Sequence, residues 1–490
     1  TKPGAQKKIL AAERNKRITK EGLIIKTSGG LTDDWTFRRY KPETVWAFLP
    51  IKKPTPPIEG LNPIDAFVHA KIKATQFEPA PRADLRTLIR RVSYDLIGLP
   101  PTPNEVAEFI ASAQEDFDSA YSTLIERLLA STQHGERWAQ HWLDVARYAD
   151  TGGLSNDYER SNAWRYRDYV IRAFNEDKPY NEFIMEQIAG DELADKSLRE
   201  RVGDNDNYQK LRRKGHYSSK EAEQMIASSF LRMGPWDPAM VKAPEARQQY
   251  IDDVVNAVGQ TFLSTTMRCF KRHDHKFDPL PTKDYYRIYS IFAGTQLAER
   301  HVSWQKYDNK IGFEEEKAQV ELLHNFADSE ARRLQQKVEE YAHTWYTTHQ
   351  LPYKNLKDRK NDPVDQKPPR HGGLSEAEKG QLKVREQDEW IWNRRTERFL
   401  PMVQSVYNGP DPKFLNARKL RIPTKIASSW RPASHILTGG ALEAPGEKIT
   451  PGVLSALGLP VEGSSQDDPF ATPKDLGGRR LALAKWISHP

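Results

Sequence analysis

Residues 85–106 read LRTLIRRVSYDLIGLPPTPNEV, and this stretch decides the kind of fold the chain adopts. Leu85, Leu88, Ile89, Val92 and Leu96 recur at spacings of three and four, which gathers their apolar side chains on one helical face. The run GLPPT ends that helix, and Thr102, Pro103 and Glu105 then supply an N-cap, a first-turn proline and a capping-box partner for the next one. Working outward, YSTLIERLLA, ERWAQHWLDVARYAD, NAWRYRDYVIRAF, KPYNEFIMEQIAG and YIDDVVNAVGQTFLSTTMRC each keep an apolar face at helical spacing, and none alternates as a strand would. A mainly α fold is therefore expected across residues 62–296. Within it, the polar stretch 195–224, DKSLRERVGDNDNYQKLRRKGHYSSKEAEQ, is expected to be a mobile surface loop.

The remaining chain divides by composition. Residues 1–61 read as a basic arm followed by a proline-stiffened linker, 297–350 as a charged helical extension, and 351–430 as a linker with a helix. Residues 431–475 have the glycines, prolines and short apolar runs of a small β-rich segment, and 476–490 look like the start of a further domain. A length of 490 residues predicts two to four units at about 100–200 residues per domain. Lys and Arg outnumber Asp and Glu by 74 to 67, scattered along the chain rather than gathered in a stripe, so nucleic acid is not an expected partner. A single cysteine excludes an internal disulfide, and no run reaches the roughly 18–20 apolar residues of a membrane-spanning helix.

Three constellations carry chemistry. The stretch MRCFKRHDHKFDPLP, residues 267–281, has Cys269 four residues before His273, the spacing of a c-type haem attachment run, but with Arg272 where the second cysteine would stand. The same stretch places His273, Asp274, His275 and Asp278 within reach of one divalent cation; alternatively, an aspartate there caps a helix or orients an imidazole. In HGERWAQHWLDVARYADTGGLSND, Trp138, Trp142, Val145 and Ala149 share a face flanked by His134, His141 and Tyr148, a pattern that fits either a pocket wall or core packing. Asp144, Arg147, Asp150 and Asp157 on that segment, with Asp168, Asp191 and Glu192 further on, offer the paired carboxylates that glycoside hydrolysis needs, a weak signal in a chain with 67 acidic residues.

Together NPIDAFVHAKI, LIRRVSYDLIGLPPTPNEV, HGERWAQHWLDVARYADT, SSFLRMGPWD and HDHKFDPLPTKDYYRIYSIFAG make residues 62–296 resemble the planctomycete-type cytochrome-c-like multidomain proteins, a family of unknown function. The resemblance makes 62–296 the central helical cytochrome-c-like domain, 1–45 the tail of a preceding domain, and 476–490 the start of the family's C-terminal domain. It implies haem c with His273 as the proximal iron ligand and export to the periplasm or cell envelope. Arg272 departs from the family's two-cysteine run. That leaves a haem attached singly through Cys269 with Arg272 on a propionate, a haem-free domain, or a misread residue.

If haem is bound, His134, His141, Met233 or Met267 are the candidates for the sixth position, and Trp138 and His141 are expected to line the distal side. The function so implied is electron transfer or oxidoreduction, linked to polysaccharide breakdown, with a redox partner and the remainder of the same polypeptide as partners. A haem-free scaffold or glycan-binding module, or a divalent-metal site at the HDH cluster, are the alternatives.

Overall fold

The structure, a computed structural model, describes residues 18–19, 22–26, 37–40, 45–49 and 51–489, except 76, 155–156, 158, 237–242, 411–412, 415–419 and 424–429. Most of the basic arm and the tail assigned to a preceding domain thus lie outside the described residues. The parts described there form a three-stranded antiparallel sheet, β1 (Ile18–Thr19), β2 (Gly22–Lys26) and β3 (Phe37–Tyr40).

The body is mainly α, as the periodicity requires. After α1 (Pro63–Ala74), the deciding stretch forms α2 (Leu85–Ile97), closed by Gly98 in the left-handed conformation. Next comes α3 (Pro103–Glu115), started by the full capping box of Thr102 and Glu105. With α4 (Phe117–Leu129) these helices enclose a small core of Ile89, Phe109, Leu124 and Leu128.

The large core begins with α5 (Thr132–Ala146) and α6 (Trp164–Asn175), continues through α7 (Tyr180–Val202), α8 (Asp206–Lys214) and α9 (Ser219–Ala227), and includes α10 (Ala243–Leu263) and α11 (Thr282–Phe292). Helices α7 and α9 nearly touch at Gly190, where an added Cβ would stand 1.9 Å from the Gln224 carbonyl oxygen, so only glycine fits. Among the described residues no helix is long and apolar enough to cross a membrane.

The stretch 195–224 is not the mobile loop its polarity suggested. The end of α7, all of α8 and most of α9 occupy it. Asn205 accepts from Tyr208 N–H to start α8, and Ser218 and Glu221 form a capping box for α9. Its charges are satisfied internally: the Asp195 carboxylate meets Arg212 at 2.9 Å, Arg300 at 2.6 Å and the Tyr217 hydroxyl at 2.8 Å. Most of the stretch still faces solvent, but it does so from helices anchored by this ion network.

Strand β4 (Thr295–His301) crosses the boundary drawn between 296 and 297 and leads to the long α12 (Phe313–Thr348). It pairs antiparallel with β5 (Met402–Asn408), in register from Thr295 opposite Asn408 to His301 opposite Met402. Between them α13 (Glu376–Thr396) packs on α12 through Leu334, Val338, Leu374 and Leu382. Two further hairpins follow, β6 (Lys413–Phe414) with β7 (Leu420–Arg421), and β8 (His435–Leu437) with β9 (Pro445–Lys448) in the segment expected to be β-rich. Helix α14 (Arg479–Ile487) then returns to the main core with Leu483, Ala484 and Trp486.

Candidate functional site

The turn that the sequence singles out lies between α10 and α11. Met267 and Phe270 point into the core, whereas Cys269, Arg272 and His273 are exposed. Phe270 packs edge-on against His275 and Tyr285 at centroid distances of 6.1 Å. Lys271 pairs with Asp252, and a Cβ built at Gly440 would lie 3.3 Å from Lys271 Cε and 3.4 Å from Arg272 Cγ, so the 438–440 turn covers this side. A covalent haem would need a flat apolar slot between Cys269 and His273. The residues present do not provide one: the inward positions are filled by packed side chains, and the stem of Arg272 takes the place of the second sulfur.

The four residues of the metal alternative do not converge either. Asp274 Oδ1 accepts from Thr282 N–H at 2.7 Å, which caps the start of α11. His273 Nδ1 lies 2.8 Å from the Asp274 carbonyl oxygen, while His275 Nδ1 accepts from Asp278 N–H at 2.9 Å and lies 3.1 Å from the Asp278 carboxylate. These are turn-closing contacts. Among the described residues no group of three or more His, Cys, Asp or Glu side chains could hold a metal ion.

Trp138 and His141 stand on the outer face of α5, in edge contact with each other at 5.7 Å. Trp142 is the inward tryptophan: it packs on Phe183 at 4.6 Å and donates Nε1–H to the Tyr166 hydroxyl at 3.0 Å. His134 Nδ1 lies 3.0 Å from the Leu96 carbonyl oxygen, and Met233 and Met267 are buried in the main core. The Trp and His pattern was core packing with an outer remnant.

The carboxylates separate into different structures. Asp144 is exposed, and Asp168 pairs with Arg167 at 2.7 Å. Asp191 holds buried Arg480 through contacts of 2.6 and 2.8 Å, and Glu192 accepts from Gly478 N–H and Leu481 N–H, capping α14. Arg147, Asp150 and Asp157 remain together on the loop after α5. Arg147, Leu154 and Asp157 all have positive φ there, an unusual density of left-handed non-glycine residues that marks a loop held by its surroundings.

What holds it is specific. Arg147 pairs with Asp253, and the Thr151 hydroxyl and Gly153 N–H keep the Asp157 carboxyl below its usual range. Arg160 N–H donates to the Asp150 carbonyl at 2.6 Å, and its guanidinium reaches the Met233 and Gly234 carbonyls at 2.9 and 2.6 Å. Arg394 at the end of α13 donates to the Glu159 carbonyl at 2.8 Å and pairs with Glu299 and Glu397.

Outside this loop lies an open cleft of about 220 Å³, lined by Asp150, Glu159, Arg160, Trp164, Arg167 and Arg398, with Phe313 at its edge. Arg160, Trp164 and Arg167 follow one another at spacings of four and three, so the turn into α6 brings them to one face. The Trp164 ring stacks on Trp304 at 6.0 Å and meets Phe313 edge-on, and its buried Nε1–H has no hydrogen-bond partner among the described residues. Beneath, buried Arg165 ties the 302–308 segment in place through Asp308 at 2.9 Å and the Val302 carbonyl at 3.0 Å. Sequence reading missed Arg160, Trp164 and Arg167; their shared face in ERSNAWRYR was the available signal.

The fold is that of a mainly helical protein, with a cleft lined by guanidinium groups, carboxylates and aromatic rings. Residues 63–297 match the model of the family described as PSCyt2, protein of unknown function (DUF1549). No curated protein and no solved structure matches the chain.

Proposed function

We propose that the chain is a haem-free binding module within a larger cytochrome-c-like multidomain polypeptide, and that its cleft takes an acidic carbohydrate segment. The cleft itself carries the reading. Arg167 and Arg398 supply planar forks for a carboxylate or sulfate, Asp150 and Glu159 supply acceptors for hydroxyls, and the Trp164–Phe313 wall supplies an aromatic boundary. The unpartnered indole N–H adds a donor for a ligand oxygen.

Export to the cell envelope and a link to polysaccharide breakdown accord with such a ligand. Electron transfer through a haem on Cys269 is the competing proposal, and the retained Cys269-to-His273 spacing is what favours it.

Calorimetric titration with a galacturonate oligomer and a neutral glucan oligomer tests the cleft. Binding of the acidic oligomer alone, weakened at least about tenfold in an Arg167→Ala, Arg398→Ala double variant, is the expected result, since each charged hydrogen bond contributes about 1.5–3 kcal/mol. Equal binding of the neutral oligomer, or none of either, overturns it. A pyridine haemochrome spectrum and intact mass on the native protein test the haem-free part: a flat spectrum with apo mass is expected, and one haem's added mass at Cys269 refutes it.

A further inference from the structure

Behind the strained loop, sharing Glu159 and Arg160 with the open cleft, is a second and smaller cavity of about 30 Å³. Arg160, Arg232, Trp236, Tyr250, Glu299 and Gln404 face it. Arg232 and Arg160 are 9% and 6% exposed, and neither forms an ion pair with any described carboxylate; their N–H groups go to the Ala298, Met233 and Gly234 carbonyls. Burial, with the neighbouring Arg232 and Arg147 charges, pushes the Arg160 guanidinium down to about 10 against the pull of Asp157 and Asp253, and burial lowers Arg232 against that of Glu299.

A buried charge left unpaired costs several kcal/mol, as an order of magnitude, so two of them against one cavity call for a counter-charge. Glu299 borders the same space, but both of its short contacts, at 3.2 Å, are with Arg394.

Two more groups are unsatisfied at this place. The Tyr250 hydroxyl, on a residue 6% exposed, has no hydrogen-bond partner among the described residues, and neither does Oε1 of Gln404, 3% exposed. Rotation of the Gln404 amide about its last bond presents N–H to the cavity instead, since the two ends are nearly isosteric. Two guanidinium groups, a phenol and an amide then offer donors to the cavity, whose wall also holds Glu159 and Glu299 beside Arg394.

We infer that this cavity is a binding site for one small monovalent anion of halide size, held between Arg232, Arg160 and the Tyr250 hydroxyl. A volume of about 30 Å³ admits such an ion and excludes a sugar acid or a phosphate ester. The ion neutralises the buried arginines and braces the loop that forms the cleft wall, so it acts as a structural anion beside the ligand site. The inference does not rest on what the cleft binds.

Bromide is the probe. Melting temperature is measured against sodium bromide at constant ionic strength, with gluconate as the balancing anion, and crystals grown in bromide are examined for anomalous scattering. The expected results are a saturable rise in melting temperature and an anomalous peak within hydrogen-bond distance of the Tyr250 hydroxyl. Tyr250→Phe should keep the far-ultraviolet spectrum and raise the half-saturating bromide concentration about tenfold, as loss of one charged hydrogen bond predicts. Gln404→Leu, which replaces the amide donor by an apolar side chain of similar size, should likewise raise the half-saturating bromide concentration. Identical melting curves in bromide and gluconate, with ordered water in the cavity, overturn the inference.

Discussion

Gly234 shows how a single missing side chain holds the candidate site together. A Cβ there would stand 1.8 Å from Asp253 Oδ2 and 2.9 Å from Arg147 Nη1, so the ion pair that fixes the start of the cleft loop exists only over glycine. Gly234→Ala is expected to cost about 1–3 kcal/mol, the range for overpacking, measured as a lower urea midpoint at unchanged slope. Asp284 makes a different kind of prediction. Burial raises its carboxyl to about 6, against the bonds it accepts from Ser455 N–H and hydroxyl at 2.7 and 2.8 Å. The native state therefore holds this proton more tightly than the unfolded chain does. The stability it contributes is complete below the unfolded value near 3.8 and is lost as pH rises through about 6. Asp284→Asn removes that loss, so its stability relative to the parent should improve by up to about 3 kcal/mol between about pH 4 and about pH 8. Urea titrations at the two pH values read this directly, and a pH-independent difference would refute it.

At the scale of elements, α13 is the strut of the cleft wall. Its last turn carries Arg394, whose guanidinium joins Glu299 of β4, Glu397 and the Glu159 carbonyl of the loop. Arg394→Ala removes the cation shared by two buried carboxylates, which should cost about 3–5 kcal/mol. The loop should then become sensitive to proteases in the 150–160 range before the rest of the chain does, a sequence of cuts visible by mass spectrometry. The elements themselves were unevenly legible. Helices α2 and α3 could be drawn from spacing and caps alone, because both signals are local. Strands β4 and β5 could not: both are largely buried and carry Gln296, Gln404 and Ser405 inside, so no alternation of polar and apolar residues appears. The polar stretch 195–224 misled for the converse reason, since its charges find partners far away in sequence, such as Arg300 for Asp195.

Over the whole molecule the main core runs from Ala139 in α5 to Trp486 in α14. Helix α14 is therefore part of the body on which the cleft is built. Arg480 donates to the Ile188 carbonyl at 3.0 Å and forks onto Asp191 with no exposure to solvent, and Trp486 Nε1–H reaches the Leu459 carbonyl at 2.8 Å. Removal of residues 478–490 should abolish the near-ultraviolet circular dichroism of the aromatic core and expose Asp191 and Glu192 as unpaired charges. An unchanged near-ultraviolet spectrum would show instead that α14 is an appendage. The satellite cores of α2–α4 and α12–α13 are smaller, and hydrogen exchange should find them opening before the main core.

By itself the sequence determined the helical class, the capped start of α3, the helical character of the stretch that forms α12, and the family resemblance of residues 62–296. Each of these depends on neighbours within a few positions, where spacing is a direct image of geometry. Only the tertiary structure decided the fate of the chemistry-bearing residues. It exposed Cys269 and His273, spent Asp274 on a helix cap, turned Trp142 inward in place of Trp138, and assembled Arg160, Trp164, Arg167 and Arg398 around a strained loop. A site joins groups hundreds of residues apart, and whether a polar side chain meets a ligand, an ion or a backbone carbonyl is settled by packing that no local pattern records.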